Sequence, residues 1–358
     1  MRVIQIGGGF WGGGWTSVIK NSPYTELVAL VDLNEETLHR VGEEVGLPKE
    51  RRFTSLAEAL KHVEADAALV VTPPPAHEPV ALEALDAGLH CMVEKPIAET
   101  LDAANRIVEK AKEVNRYVMI TQSHRFKRGP RTVKRLIEEG AVGKIETLYG
   151  RYRKAPLFTG FRAEMDEPLI VDQSIHHFDY IRGIFGIEPD YVRARSFNPS
   201  WSYFKGNASA FVEFETNDGA MISYTGSWVA RRPHTGWDGS WEVHGTYASL
   251  YWDDNRVLIY PHENVIGDTV FYKGAIERAN DILEVPLDNV EAEERYGTLK
   301  EFVTSVKENR QPETYGEDNL RSLALVLAAV ESTKRGGERI NLNEFLITNI
   351  KKGSLTGL

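Results

Sequence analysis

Apolar runs of four or five residues recur through the first third of the chain: Val3–Ile6, Leu27–Val31, Ala67–Val71, Cys91–Glu94 and Tyr117–Thr121. They are rich in β-branched residues and bounded by Gly, Pro or Asp, the mark of buried strands. A shorter strand is predicted at Phe53-Thr54. Between them lie segments with helical periodicity: 12–20, 35–45 (closed by Gly46 and Pro48), 56–62, 78–87 (closed by Gly88) and 101–115. Ser55 and Glu58 form a capping-box pattern before the third of these, and Thr100 caps the last. Strand and helix in alternation imply a parallel sheet with helices on both faces. Ligands then bind at the carboxyl ends of the strands. Those ends carry Gly7 to Gly12, Asp32, Thr72-Pro73, Glu94-Lys95 and Gln122.

The pattern changes near residue 123. A helix is predicted over 131–139, with Pro130 at its start and Gly140 past its end. A strand is predicted over 145–153 and a helix over 172–185. Alternating stretches 208–215 and 220–228 then flank Asn217-Asp218-Gly219, a hairpin signal. Short strands continue at 241–244, 249–252 and 257–260, and helices return at 291–309 and 319–335. The expectation is two domains: an α/β domain over 1–122 and an α+β domain over 123–358.

The first strand runs into Gly7-x-Gly9-x-x-Gly12, and Asp32 ends the second strand, 20 residues after Gly12. Gly7 permits the tight turn, Gly9 lets a pyrophosphate approach the backbone, and Gly12 lets helix and strand pack closely. The free N–H groups of the helix start favour phosphate. Asp32 can accept hydrogen bonds from a ribose diol. Order and spacing together point to a Rossmann dinucleotide site. The Asp32 carboxylate repels a 2′-phosphate by about 4 kcal/mol per charge pair at 4 Å and an effective dielectric near 20. No Arg follows in Leu33-Asn34-Glu35-Glu36. NAD is therefore expected rather than NADP.

Three stretches can supply proton chemistry. Lys95, between Glu94 and Pro96, sits at a strand end, where it can hold charge on a substrate oxygen. Glu94 either orients Lys95 or bonds a cofactor hydroxyl, and Pro96 suggests a fixed, cis turn. Asp172, His176 and Asp179 lie at i, i+4 and i+7, sharing one face of an otherwise apolar helix. His176 has the intrinsic pKa for acid–base work, and Asp172 can orient it or bond substrate. His177 points elsewhere. Arg125, at the domain junction, either clamps a polar substrate or pairs with a carboxylate between the domains. No H-E-x-x-H or Cys cluster occurs, so no metal is expected.

Net charge is −10 from 42 basic and 52 acidic residues, with no long basic run, so neither nucleic acid nor an anionic membrane is an expected partner. Cys91 stands alone, which excludes an internal disulfide and suits a small buried hydrophobe. No secretory signal opens the sequence, and the longest apolar helical run, 323–330, is too short to span a bilayer. These features lead to the expectation of a cytoplasmic protein.

In this order and spacing, Gly7-x-Gly9-x-x-Gly12, Thr72-Pro73 with His77, Glu94-Lys95-Pro96 and Asp172-x-x-x-His176-x-x-Asp179 resemble the Gfo/Idh/MocA family, named for glucose–fructose oxidoreductase, inositol dehydrogenase and a rhizopine catabolism protein. The resemblance covers nearly the whole chain. It implies a Rossmann domain followed by an α+β domain whose large, mostly antiparallel open sheet mediates a homo-dimer or homo-tetramer. It implies NAD held by Gly7, Gly9, Phe10, Trp11, Gly12, Asp32, Thr72, Pro73, His77, Glu94, Lys95 and Gln122. It implies catalysis by Lys95, Asp172 and His176 on a sugar, inositol or related polyol, with Arg125 and Asp179 also at the substrate. Gly8-Gly9-Phe10-Trp11 stands in place of a smaller apolar sequence, and Gln173-Ser174 replaces the frequent Leu-Gly of the family. Some relatives cleave glycosides through transient oxidation, and one is a non-catalytic sensor; the presence of Lys95, Asp172 and His176 together favours an enzyme. Trp201, Trp228, Trp237 and Trp241, with Arg162, Arg231, Arg232 and His234, could stack on sugars or bind anions. Trp228 is assigned instead to a sheet face covered in an oligomer, and the loop 158–162 to substrate contact.

Overall fold

A computed structural model of the chain describes residues 1–262 and 282–354. Two compact units are present: Met1–Phe126 with Glu291–Leu323 and Leu346–Leu358, and Lys127–Val290 with Ala324–Phe345.

The first unit begins β1 (Arg2–Ile6), α1 (Phe10–Asn21), β2 (Glu26–Val31), α2 (Glu35–Glu44), β3 (Arg52–Phe53), α3 (Leu56–His62) and β4 (Ala67–Val70). It continues with α4 (His77–Asp86), β5 (His90–Val93), α5 (Leu101–Glu113) and β6 (Val118–Ile120). The sheet order is β3-β2-β1-β4-β5-β6, and every pairing is parallel. The order reverses between β1 and β4, so the glycine turn after β1 opens at the switch point where such sheets bind ligands. Caps fall where the sequence places them: Ser55 Oγ accepts the Glu58 N–H at 3.2 Å and Thr100 Oγ1 accepts the Ala103 N–H at 3.2 Å. The capping box is half-formed, because the Glu58 carboxylate turns to Lys61 and His62 at 2.8 and 3.0 Å.

Segment 291–323 supplies part of this unit's core. Leu299, Phe302 and Val303 join Trp15, Leu69, Met92, Met119 and Phe126 in one buried cluster. The same segment covers the sheet edge. Ile120 donates its N–H to Thr314 O at 2.9 Å, and Met119 bridges Tyr315 antiparallel. The unit is therefore larger than residues 1–122. Periodicity reports where helices form, not which sheet they join.

The second unit holds α6 (Arg128–Glu138), β7 (Ile145–Arg153), α7 (Phe161–Glu164), α8 (Ser174–Gly183), β8 (Tyr191–Phe197), β9 (Ser209–Glu215) and β10 (Met221–Ser227). Then come β11 (Ser240–Gly245), β12 (Ala248–Asp253), β13 (Arg256–Pro261) and β14 (Leu283–Val285). The chain ends with α9 (Glu294–Lys307), α10 (Gly316–Lys334), β15 (Ile340–Asn341) and α11 (Leu342–Ser354). The nine-stranded sheet has the order β14-β13-β12-β11-β7-β10-β9-β8-β15. Only β7 and β10 pair in parallel. The β9–β10 hairpin turns as expected, with Gly219 at φ 95°.

Alternation gives the sheet two faces. Leu148, Tyr152, Val212, Phe214, Ile222, Tyr224 and Trp241 point into a core that also holds α8 residues Ile175, Phe178 and Ile181. On the other face Tyr149, Phe197, Phe211 and Met221 are exposed. Trp228 and Trp241 are 1% and 0% exposed within the unit itself. This corrects the expectation for Trp228: it lies past the end of β10, where the rings of Phe158 and Phe204 cover it at 5.0 and 5.7 Å. Among the described residues no helix is long and apolar enough to cross a membrane.

Candidate active site

In the first unit the site is built on the glycine turn. Gly7 takes φ 97°, and a Cβ there would lie 2.7 Å from Val71 C and 3.0 Å from Thr72 N. A Cβ on Gly12 would lie 2.9 Å from Gly7 C and closer still to Gly7 O. The buried Gln5 side chain pins the turn, its Nε2 donating to Gly7 O and Gly12 O at 2.8 Å each. Around Gly9, by contrast, nothing lies within 4 Å of a Cβ position. Gly9 is the N-cap of α1 and no side chain caps it, so the first amides of the helix are open to an acceptor. Phe10 and Trp11 are 90% and 48% exposed beside them.

Asp32 ends β2 at this turn. Its Oδ2 accepts from Gly8 N at 2.7 Å and its Oδ1 from Asn34 N at 2.9 Å. Thr72 follows β4, and its buried hydroxyl has no hydrogen-bond partner among the described residues. His77 is 1% exposed, with Nδ1 2.8 Å from Pro96 O and Nε2 2.8 Å from Thr72 O. Burial lowers its pKa, while the two carbonyls and Glu94 oppose that shift. With both ring nitrogens against main-chain carbonyls, His77 ties the Thr72 and Pro96 turns together.

Glu94 is fixed at both oxygens. Oε1 accepts from the Trp15 indole N–H at 2.7 Å, and Oε2 from the Lys95 backbone N–H at 2.9 Å. Trp15 is fully buried on α1, so the helix of the glycine turn carries the group that holds the strand-end acid. Sequence reasoning missed Trp15, which reads as a core aromatic because its packing and its N–H point to different partners. The Lys95–Pro96 bond is cis, as the motif suggests. Gln122 is 1% exposed after β6. Arg125 is 3% exposed, its guanidinium 3.9 Å from Glu313 and 3.9 Å from Asp318 of the same unit. Both carboxylates belong to the same unit as Arg125, whereas the sequence reading placed such a partner between the domains.

In the second unit a π-helical turn, Leu169–Gln173, precedes α8. Asp172 therefore does not continue the 3.6-residue phase of His176 and Asp179. π-Turns of this kind insert a residue into a helix and are frequent at functional sites. The Asp172 Oδ2 pairs with Arg162 Nε at 2.5 Å, with both side chains about 15% exposed. The Arg162 guanidinium lies 5.5 and 4.7 Å from the ring centres of Phe158 and Phe161. The 158–162 loop thus delivers a cation to Asp172, beside the helix that carries His176.

His176 and Asp179 are 7% and 1% exposed on α8. His177 is fully buried, with Nδ1 2.8 Å from the Tyr224 hydroxyl and Nε2 3.1 Å from Trp237 O. It is structural, in keeping with its exclusion. Tyr152 was not foreseen. Its ring lies 4.8 Å from that of His177, and its hydroxyl accepts from the Trp228 indole at 3.0 Å. Burial raises its pKa, so it stays a neutral hydroxyl. Trp201 and Trp237 are about half exposed, Trp201 beneath the Arg231 guanidinium at 4.4 Å and Trp237 beneath the Lys154 ammonium at 5.5 Å.

The turn fits a dinucleotide on three counts: the empty space over Gly9, the uncapped start of α1 and the unpartnered Thr72 hydroxyl. Comparison with known proteins agrees. Residues 1–122 match the family model described as "Oxidoreductase family, NAD-binding Rossmann fold", and residues 131–251 match the GFO/IDH/MocA C-terminal domain. The chain is 28% identical over 354 residues to the Sinorhizobium fredii protein y4oX, covering 96% of each. It is 26% identical over 341 residues to myo-inositol 2-dehydrogenase of Thermotoga maritima, covering 93% of this chain and 96% of that protein. Its fold matches an Agrobacterium radiobacter oxidoreductase solved with NAD+, L-tartaric acid and magnesium, with TM-score 0.83, 20% identity, and 96% and 99% of the two chains covered. With both family domains matched in sequence, and the glycine turn, the acid and the Glu-Lys-Pro turn assembled in one Rossmann unit, the chain belongs to the Gfo/Idh/MocA family of NAD-binding dehydrogenases.

Proposed function

We propose that this dehydrogenase oxidises a secondary hydroxyl of a sugar, inositol or related polyol, or reduces the matching carbonyl, with Lys95, Asp172 and His176 handling the oxygen and its proton. When bound, NAD supplies the hydride-accepting nicotinamide carbon. The chain's own residues do the rest. Lys95 donates a hydrogen bond to the reacting oxygen and holds the charge that develops there. His176 takes the hydroxyl proton during oxidation and returns it during reduction. Asp172, paired with Arg162, orients and stabilises the protonated imidazole. Asp179 completes the polar contacts to substrate.

The observation that carries this reading is the fixing of Lys95. Its backbone N–H is held by Glu94, which the Trp15 indole holds in turn. A lysine positioned this way at the carboxyl end of β5 suits catalysis better than a solvated surface lysine would. The exposed sheet face with Phe211, Phe197, Tyr149 and Met221 supports a homo-dimer or homo-tetramer through the second unit.

The test is a panel of polyols, sugars and glycosides with NAD, read by NADH fluorescence and product chromatography. One or more polyols is expected to yield NADH. Lys95→Ala and His176→Ala should abolish turnover while NAD still binds, and retained activity in both variants refutes the assignment. Glycoside cleavage without net NADH would instead point to oxidation followed by elimination.

A further inference from the structure

Arg295, in the first turn of α9, lies in the first unit beside the glycine helix. Its guanidinium stands 5.2 Å from the ring centre of Trp11 and 5.5 Å from that of Trp15. Trp11 and Trp15 are one helical turn apart, so both rings lie on one face of α1. Gly14 makes room: a Cβ there would lie 3.2 Å from Arg295 Cζ and nearer still to Nη1. Arg295 is half-buried and, among the described residues, has no ion pair or hydrogen bond. Other arginines of the unit, such as Arg52, Arg106 and Arg310, each pair with a carboxylate. The residue before it, Glu294, takes φ 50°, a left-handed conformation that side chains adopt rarely and that is over-represented at functional sites.

We infer that Arg295 is a cofactor-binding residue that pairs with the dinucleotide pyrophosphate. A guanidinium held over two indoles keeps its N–H groups for an acceptor, and phosphate oxygens match their fork. Gly14 is two residues past Gly12, about 3 Å along the helix axis. The cation therefore sits within one turn of the amides at the start of α1, where the phosphates bind. The amides supply directed but neutral donors, and Arg295 supplies the full positive charge that the Gly-Phe-Trp-Gly turn lacks. Because the residue comes from the segment after residue 290, no motif around the glycine turn announces it.

The test is binding, not turnover. Dissociation constants for NAD, ADP-ribose and adenosine are measured by calorimetry on the whole protein, for wild type, Arg295→Lys and Arg295→Met, with melting temperatures alongside. ADP-ribose carries the pyrophosphate without nicotinamide, and adenosine carries neither. The expected result is that R295M weakens NAD and ADP-ribose alike, by about 10- to 100-fold, and leaves adenosine unchanged. R295K should lie between wild type and R295M for ADP-ribose and keep the wild-type melting temperature, which guards against a folding defect in R295M. Equal ADP-ribose affinity in all three proteins overturns the inference. So does a loss confined to NAD, which would place Arg295 at the nicotinamide end, and so does an equal loss on adenosine, which would mean a disturbed pocket.

Discussion

Gly9 and Gly12 stand three residues apart in one turn and fail in opposite ways when a methyl group is added. At Gly12 the added Cβ meets main chain: Gly7 C at 2.9 Å, Gly7 O nearer still, and Gln5 Nε2 at 3.3 Å. None of these can yield cheaply, because Gly7 N is tied to Val31 O at 2.8 Å and Gly7 O accepts from Gln5. Overpacking of this kind costs about 1–3 kcal/mol. Opening the turn also loses the two Gln5 bonds at about 1 kcal/mol each. The gain in helix propensity, up to about 1 kcal/mol, offsets only part of this. Gly12→Ala should therefore destabilise by roughly 2–4 kcal/mol, lowering the melting temperature by about 4–16 °C at ~2–4 °C per kcal/mol. At Gly9 no atom lies within 4 Å of the Cβ position, and its φ of −58° suits alanine. Gly9→Ala should melt within about 2 °C of wild type. Its methyl occupies the space a pyrophosphate must enter, so NAD affinity should fall by about tenfold or more, roughly 1.4 kcal/mol. Scanning calorimetry with and without NAD, and a titration of each variant, separate the two effects. A G9A protein that binds NAD as wild type does, or a G12A protein that melts with wild type, refutes this account of the turn.

Asp32→Ser removes the carboxylate that would face a 2′-phosphate, so the NAD-over-NADP affinity ratio should fall at least tenfold in a cofactor titration; tighter binding of NADP than NAD by the wild type would overturn the cofactor assignment. His90 provides a pH test: burial and then Arg116 hold its pKa down at about 4, and its Nδ1 accepts the Tyr117 N–H at 3.0 Å. The unfolded chain takes up a proton near pH 6.5 that the folded chain refuses until about 4, so His90 costs stability progressively as pH falls through that window. His90→Asn keeps an acceptor without a titration, and its melting temperature should fall less steeply between pH 6.5 and 4 than that of wild type; parallel slopes would show that His90 contributes nothing. Phe211→Glu places a charge on the exposed sheet face, where Phe211 stacks on Phe197 at 5.4 Å, and light scattering should show a smaller assembly with an unchanged melting curve at low protein concentration; an unchanged mass would remove this face as the contact.

Much of the first unit was legible because local signals and tertiary outcome agree there. Each apolar run became a strand, and the glycine turn and Asp32 met as spacing required. The Glu94-Lys95-Pro96 turn was legible as a strand end. Its support was not, because Trp15 reaches Glu94 across 79 residues through one indole N–H. The helical face of Asp172, His176 and Asp179 was read from a constant 3.6-residue period, and a π-turn has no compositional mark that would reveal the change of phase. Trp228 was misjudged because a strand pattern tells which residues share a face, not what covers it. Here Phe158 and Phe204, from separate loops, cover it. Strands β8, β14 and β15 were not foreseen. Tyr191–Phe197 carries Arg193 and Arg195 on its outward side, and β15 is two residues long, so pairing with neighbours defines both.

The return of the chain at residue 291 bears on how the protein is made. The core around Trp15 and Met119 is incomplete until Leu299, Phe302 and Val303 have been synthesised, and the outer edge of β6 has no partner until Thr314 and Tyr315 arrive. The second core likewise waits for Leu325, Val326, Ala328, Ala329 and Ile340. At about 5–20 residues per second, the nascent Rossmann sheet waits on the order of ten seconds or more with one flank unfinished. Neither unit can close during most of translation. The glycine turn can form early from local sequence, but the sheet that holds it rigid is sealed only after Thr314 and Tyr315 have left the ribosome.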